Sequence, residues 1–340
     1  MSETACVAIG GSWGAIDALS AICRDLPQDF PAALLVVVHT GRTERAGLAQ
    51  VLAGGSGLPV AVAEDGVPLA PGRIVIAPAE HHLLVVDDTV RLGRGPRENL
   101  SRPAIDPLLR SVGVNSGGNA VGVVLSGLLS DGAAGLADLK RCGGCTVVQD
   151  PADAAAADMP LAALRASDID HRAPASGLAA LIDRLARRDL QPRAPAPAEI
   201  LLEVDIALGR PGIGDALKRF AGPTELTCPA CGGVMSQING EPLRFRCQVG
   251  HAYSAAALAG EQEGSVDEAI RVALRIVEER AVLTEKMAEE ARAHGRHAAA
   301  ASFGIRAAEY RQQSELLRQS AMAGFENRRP VAQQNANILS

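Results

Sequence analysis

From residue 6 to residue 186, short apolar runs alternate with stretches patterned for helix, and that alternation constrains the chain most. It confines this half to an α/β fold, a doubly wound and mostly parallel sheet with helices on both faces. Strands are expected over 6–9, 34–38, 59–62, 73–76, 83–86 with 89–92, 121–125 and 146–149, with Asp87-Asp88 as a hairpin turn. Helices are expected over 15–24, 46–52, 105–114, 132–141, 161–166 and 177–186. Aromatic residues are only 2% of the chain against 47% apolar, so Val, Leu, Ile and Ala must fill the core.

The second half is organised differently. Residues 187–199, rich in Pro, Ala and charge, read as an exposed semi-rigid linker. A small cysteine-containing module follows, and then a helical stretch over 266–322. There Val266, Ile270, Ala273, Val277, Leu283 and Met287 recur at helical spacing as an apolar stripe that points to self-packing, and His294-Gly295 breaks the stretch into two antiparallel helices. The expected divisions are a catalytic domain over 1–186, a linker over 187–200, a zinc-ribbon-like module over 201–260, a helical hairpin over 261–325 and a disordered tail over 326–340. The net charge of −6 argues against nucleic-acid binding. The apolar runs are too short and glycine-broken for a signal peptide or a membrane span, so a cytoplasmic protein without membrane insertion is expected.

Gly10-Gly11-Ser12-Trp13-Gly14 follows the first strand and precedes the first helix. Glycines around a serine on such a turn expose a nucleophile, and the helix N-terminus behind it favours a developing oxyanion. The same turn could instead cradle a phosphate. A nucleophile needs a base and a group to orient that base, and in a parallel sheet these gather at the carboxyl ends of strands. His39 closes the second strand; His81 and His82 compete less favourably, because they enter a hairpin. Asp131 lies where a strand end leads into a helix, where an N-cap is the plainer role, while Asp150 ends a strand but is followed by Pro151. The chain order Ser, His, Asp differs from the Ser, Asp, His order of the α/β-hydrolases.

The seven cysteines do not suggest a disulfide framework. Cys228-x₂-Cys231, a 15-residue spacer, and then Cys247-x₃-His251 match a closed tetrahedral zinc site, structural rather than catalytic. Cys142 and Cys145 share the C-x-x-C spacing but read as a tight turn without a redox role, and Cys6 and Cys23 read as core residues.

Seven blocks in order carry a family resemblance: IGGSWGAIDAL at 9–19, VVVHT at 36–40, PGRIVIAPAEHHLLV at 71–85, GPRENLSRPAIDPLLRS at 95–111, GVVLSGLLSDGAAGL at 122–136, GGCTVVQDP at 143–151 and MP at 159–160. Together they resemble the catalytic domain of the chemotaxis protein-glutamate methylesterases, CheB. The resemblance implies a triad of Ser12, His39 and Asp131, with no cofactor for catalysis. It also implies an oxyanion hole of backbone N–H groups near Trp13 and Leu128. The implied reaction is hydrolysis of glutamyl γ-methyl esters, and often deamidation of glutamines, on the cytoplasmic helices of methyl-accepting receptors. A receptor methyltransferase is a further implied partner. Trp13 replaces a smaller residue common in the family and would narrow the site mouth or pack on a neighbouring loop. The polar block Asn99, Arg102, Asp106 is either a substrate-edge loop or a lid on the sheet. Members of the family commonly carry an N-terminal receiver domain; with Ser12 so early in the sequence, control by phosphorylation in cis is not expected. Two other readings stay open: a related serine esterase on other esters, and a catalytically dead adaptor that works through its C-terminal half.

Overall fold

The computed structural model describes residues 4–39, 45–192, 195–211 and 213–326, in two compact units, Met1–Leu258 and Ala259–Ser340. In the first unit the chain lays down β1 (Cys6–Gly11), α1 (Ala15–Asp25), β2 (Ala33–Val38), α2 (Arg45–Gly55), β3 (Val60–Val62) and β4 (Arg73–Ile76). It continues through a hairpin of β5 (His82–Val86) and β6 (Thr89–Gly93), then α3 (Ile105–Ser116), β7 (Ala120–Val124), α4 (Ala133–Arg141), β8 (Cys145–Gln149), α5 (Asp158–Ala166), β9 (His171–Ala173) and α6 (Ala175–Ala186). Seven strands form one parallel sheet in the order β3-β4-β2-β1-β7-β8-β9. Val7, Ile9, Leu34, Val36 and Val123 pack on one side with residues of α1, α2 and α6. Cys6, Ala8, Leu35, Val37 and Val124 pack on the other with α3, α4 and α5. Burial on both faces is why the central strands read as unbroken apolar runs rather than alternating ones.

The β5–β6 hairpin turns through Asp87 and Asp88 with φ of 50° and 55°, a type I′ geometry that matches strand twist. Strand β9 has no counterpart in the sequence-based expectation. It is three residues at the sheet edge, and only parallel pairing to β8 defines it. A second unexpected element is helix α7 (Ala198–Leu208), which straddles the border drawn between linker and module. Its Ile200, Ile206 and Ala207 are fully buried within the first unit, whereas residues 187–192 are exposed.

After the short helix α8 (Ile213–Leu217), four antiparallel strands form a small sheet in chain order: β10 (Ala221–Thr227), β11 (Val234–Ile238), β12 (Arg244–Cys247) and β13 (Ala252–Ser254). Its core is Cys228, Met235, Phe245, Cys247, Tyr253, Ala257 and Leu258. The module is seated on the α/β domain by charge. From β12, Arg244 and Arg246 enter a buried cluster with Arg110, Glu98, Asp138 and Glu203.

The second unit is a pair of long helices, α9 (Ala255–Ala293) and α10 (His297–Glu326), with the break at His294-Gly295-Arg296. Arg280 stacks 4.6 Å over the Tyr310 ring, and Arg318–Glu278 and Arg311–Glu285 ion pairs fix an antiparallel register. The apolar stripe expected on α9 is corrected in part. Leu283 and Met287 are exposed, and the buried seam continues instead through Ala281, Thr284, Ala288 and Ala291, facing Ala300 and Ala307. That seam keeps the alternating three- and four-residue spacing of packed helices but is built of small residues, which allow close approach. Of the tail expected at 326–340, only Glu326 lies among the described residues.

Candidate active site

The chain leaves β1 for β2 on one side and later fills β7 on the other, so the carboxyl end of β1 is the switch point of the sheet, where such folds open a crevice. Ser12 follows β1 there. Parallel pairing ends at Gly11↔Val38, so Ser12 and His39 are the next residues on neighbouring strands, and His39 N–H donates to Gly11 O at 3.0 Å. Gly14 caps α1 with φ of 76°, and a Cβ there would meet the Cβ of Ala155 at 2.5 Å. At Gly127 a Cβ would lie 2.9 Å from the Ser12 Cβ and 2.0 Å from the Met159 sulfur, so the loop after β7 passes directly over the serine only because it carries glycine.

Ser126 clamps this turn. Its carbonyl accepts from Ser12 N–H at 2.9 Å, its hydroxyl donates to Trp13 O at 2.8 Å and accepts from Ala156 N–H at 2.8 Å, and its own N–H donates to Gln149 Oε1 at 2.9 Å. Ser12 N–H is thereby engaged, and Gly127 N–H donates to Ala156 O at 3.1 Å. Those of Trp13 and Leu128 have no partner among the described residues, which leaves two donors beside the serine for an oxyanion. Trp13, Leu128 and Leu129 stand exposed around the opening, Trp13 at 63%, so the indole does not pack on a neighbouring loop.

His39 Nε2 lies 3.0 Å from Asp131 Oδ2. The distance is that of a hydrogen bond, but the ring N–H is not aimed along the line to the oxygen; resting catalytic pairs commonly tighten only when substrate is bound. With Nε2 toward the carboxylate, Nδ1 is the nitrogen left for Ser12. Asp131 is buried, and donors surround it: Ile105 N–H at 2.6 Å to Oδ2, and to Oδ1 the Asn99 amide at 3.0 Å, Gly132 N–H at 3.1 Å and Asp106 N–H at 3.2 Å. Burial alone would raise its pKa, yet His39 and these donors outweigh it and hold the carboxylate below its usual range. The sequence reading of Asp131 as a cap is refined. It caps α3, across the site, rather than chiefly its own helix, and Asp106 in the first turn of α3 returns the favour by accepting from Gly132 and Gly135 of α4.

Of the two readings of this block, a capped helix lying on the sheet fits Asp106, which lies in the first turn of α3; both it and Asn99 are buried supports of Asp131, with the two Asn99 amide hydrogens divided between Asp106 Oδ2 and Asp131 Oδ1. Arg102 stands apart, donating to Gly95 O and pairing with Glu80. Ser126 and Gln149 are site residues that sequence reasoning missed, since a serine between a strand and a glycine carries no signal of its own. The competing histidines lie elsewhere. His82 is buried, with Nδ1 accepting from Ala104 N–H and Nε2 bonded to Pro96 O, and His81 sits between Ala79 O and the Arg94 side chain.

Burial and the Asp131 charge push the Asp106 carboxyl up to about 8, against the Arg110 charge and the Gly135 N–H. The folded protein thus keeps a proton that the unfolded chain releases near 3.8. The stability due to this group is fully present below pH 3.8 and is lost as the pH rises toward 8. Urea midpoints across that range should carry this falling component, and Asp106→Asn should lack it; an unchanged slope in the variant would refute it.

In the module, Cys228, Cys231, Cys247 and His251 bring their ligand atoms within 4.8 Å of one another. Cys231 Sγ–Cys247 Sγ is 3.7 Å and Cys247 Sγ–His251 Nδ1 is 3.5 Å. A tetrahedron with Zn–S bonds of about 2.3 Å has edges of about 3.8 Å, so these atoms stand where a zinc shell would put them. Burial, with the Arg246 and Arg97 charges, lowers the pKa of His251 and favours the neutral ring a metal requires. Cys142 and Cys145 are buried at the turn before β8, and burial raises both thiols, that of Cys142 to about 11, which fits an unreactive pair. No described helix is long and apolar enough to cross a membrane.

A family model described as CheB methylesterase matches residues 7–182. Protein-glutamate methylesterase/protein-glutamine glutaminase 2 of Anaeromyxobacter dehalogenans is 39% identical over 181 residues, which is 53% of this chain and 53% of that protein. The enzyme of the same name from the group 3 operon of Pseudomonas putida is 39% identical over 158 residues, 46% of this chain and 47% of that one. The crystal structure of the Thermotoga maritima CheB methylesterase catalytic domain superposes with a TM-score of 0.52 at 30% identity, covering 54% of this chain and 100% of that domain. The chain spans about half the length of the curated relatives it matches.

Proposed function

The chain belongs to the CheB methylesterase family, and from that premise we propose that it hydrolyses glutamyl γ-methyl esters on the cytoplasmic helices of methyl-accepting receptors. The observation that carries the reading is the His39–Asp131 pair, 3.0 Å apart at a strand end, one register step from Ser12. Ser12 Oγ attacks the ester carbonyl as His39 Nδ1 takes its proton. Asp131 holds the ring tautomer and balances the imidazolium charge. The tetrahedral oxyanion is received by Trp13 and Leu128 N–H. His39 returns the proton to departing methanol, leaving an acyl-serine. Water then attacks with His39 again as base, releasing glutamate. A glutamine side chain enters the same sequence with ammonia as the leaving group, so deamidation needs no second site. The test is methanol release from a methylated receptor fragment by the intact chain; release no faster than the uncatalysed rate overturns the reading.

The Cys228, Cys231, Cys247 and His251 set is proposed to hold one Zn²⁺. With four protein ligands the ion is closed to substrate and contributes folding energy to a sheet whose own core is small. Elemental analysis of purified protein should give one zinc per chain. Cys247→Ser should lose the metal and lower the thermal midpoint, and a metal-free wild type of equal stability would refute the assignment.

A further inference from the structure

The Cys/His module is joined to the catalytic carboxylate by hydrogen bonds as well as by charge. Residues 97–101 run alongside β13: Asn99 N–H donates to Ala252 O at 2.9 Å and Ala252 N–H to Arg97 O at 3.3 Å. Asn99 has φ of 46° and Leu100 69°, a left-handed kink that turns the Asn99 side chain out of this pairing and into the protein. There Ser254 N–H, at the end of β13, donates to Asn99 Oδ1 at 2.9 Å. That contact decides which way the amide points. With Oδ1 engaged by the module, both Nδ2 hydrogens face carboxyl oxygens, Asp131 Oδ1 at 3.0 Å and Asp106 Oδ2 at 2.9 Å. The reversed amide would aim a carbonyl oxygen at two carboxyl groups and its N–H at another donor. A second link is the hydroxyl pair Ser254 Oγ–Ser130 Oγ, 2.6 Å apart, at the residue preceding Asp131.

We propose that the C-terminal module is a positioning element of the active site: Ser254, acting through Asn99 and Ser130, fixes the orientation of Asp131 and hence of His39. The role rests on Asp131 serving His39 as proposed above. Ser254 and Asn99 touch no reacting atom, so both are positioning residues. The device makes the orientation of one of the donors to Asp131 depend on a residue outside the α/β core. An α/β domain cut before β10 would keep the triad residues and lose the group that orients the Asn99 amide.

Several charged groups bear on the same carboxylate. Asp106 faces it from α3, His82 feels its charge from the β5 side, and Arg110 and Glu98 stand behind Asp106. Removal of the Asn99 donor leaves these in place and releases one of the hydrogen bonds that orient Asp131, so the surroundings of the His39 ring should change.

The experiment follows the His39 ring signals by NMR at fixed pH in the full chain, alongside the rate at which a fluorophosphonate labels Ser12. Asn99→Ala should displace the His39 ring signals and slow labelling at least about tenfold. Ser254→Pro, which removes both the N–H and the hydroxyl, should do the same. Ser254→Ala, which removes the hydroxyl alone, should slow labelling about threefold with a smaller change in the ring signals. The double variant Asn99→Ala/Ser254→Ala should be slower than Asn99→Ala by less than the factor Ser254→Ala costs on its own, because the two act on one carboxylate. Unmoved His39 ring signals in Asn99→Ala overturn the proposal, as do Ser254 variants indistinguishable from wild type. Should Ser254→Pro lose its cooperative unfolding transition, Ser254→Ala and the double variant decide the module's part. Variants that displace the His39 ring signals, in a protein that takes no label at Ser12 even as wild type, would refute the esterase reading and leave the coupling standing.

Discussion

Ser12→Ala is expected to abolish methanol release from a methylated receptor fragment, a loss of about 10⁴-fold or more in kcat with little change in KM. The serine oxygen is the atom to which the acyl group transfers, so no neighbouring side chain takes its place. Cys6 lies at the far end of β1, the loop that covers Ser12 passes it at Gly127, and Met159 of α5 packs on that glycine. Alanine fits the space beside Gly127 that the Ser12 Cβ already occupies, so the fold should be untouched, and an unchanged thermal midpoint is the control. Asp131→Asn is expected to cost about 10⁴-fold by a different route. Its amide would have to accept from Ile105, Asp106, Gly132 and Asn99 through one oxygen, turning a donor toward His39 or toward one of those N–H groups. Asn in place of Asp should therefore also lower stability, whereas Ser12→Ala should not. Methanol release that survives in Ser12→Ala would remove the serine from the chemistry.

The elements that were legible in the sequence are those whose cause is local. Burial on both faces left β1, β2, β7 and β8 as apolar runs, and the glycine turn at Ser12 and the strand-end positions of His39 and Asp131 follow from the same pattern. What was not legible depends on partners far along the chain. Asp131 and Asp106 cap each other's helices across 25 residues, and neither shows the local spacing of a capping motif. Helix α7 follows a Pro-rich stretch and contains Glu203, which reads as solvent-facing until Arg246, 43 residues later, is seen to cover it. On α9 the eye follows Leu283 and Met287, while the packed face is built of alanines that no hydropathy stripe displays. Strand β12, RFRC at 244–247, carries two arginines whose partners lie far away in the sequence, and Arg246 is among the most buried side chains of the protein while Arg244 is buried as well.

Those arginines carry the second large effect. Arg246→Ala is expected to destabilise the protein by about 3–5 kcal/mol, a large share of the 5–15 kcal/mol typical of a folded domain. Arg246 is 1% exposed and pairs with Glu98 Oε1 at 2.9 Å and with Glu203, while donating to Gly250 O at 2.6 Å. Arg110 and Arg244 complete three cations against Glu98, Asp138 and Glu203, so the cluster is neutral as built and one carboxylate in excess when Arg246 is lost. Lysine cannot substitute, because one ammonium does not span two carboxylates and a carbonyl in a planar fork. The deficit should depend on pH with a definite sign. In the intact cluster burial acts to raise Glu203, but Arg246 and Arg110 prevail and lower it to about 2, and Glu98 is lowered by the same two cations. Stability from these carboxylates is present above about pH 4.5 and is lost as pH falls toward 2. Without Arg246 they protonate more readily in the folded state, which relieves the uncompensated charge. The gap between wild type and Arg246→Ala, read from urea unfolding, should therefore be widest near pH 7 and narrow below pH 4.5. A gap under 1 kcal/mol at pH 7, or one that widens in acid, would show that the module is held by its apolar contacts and not by this cluster.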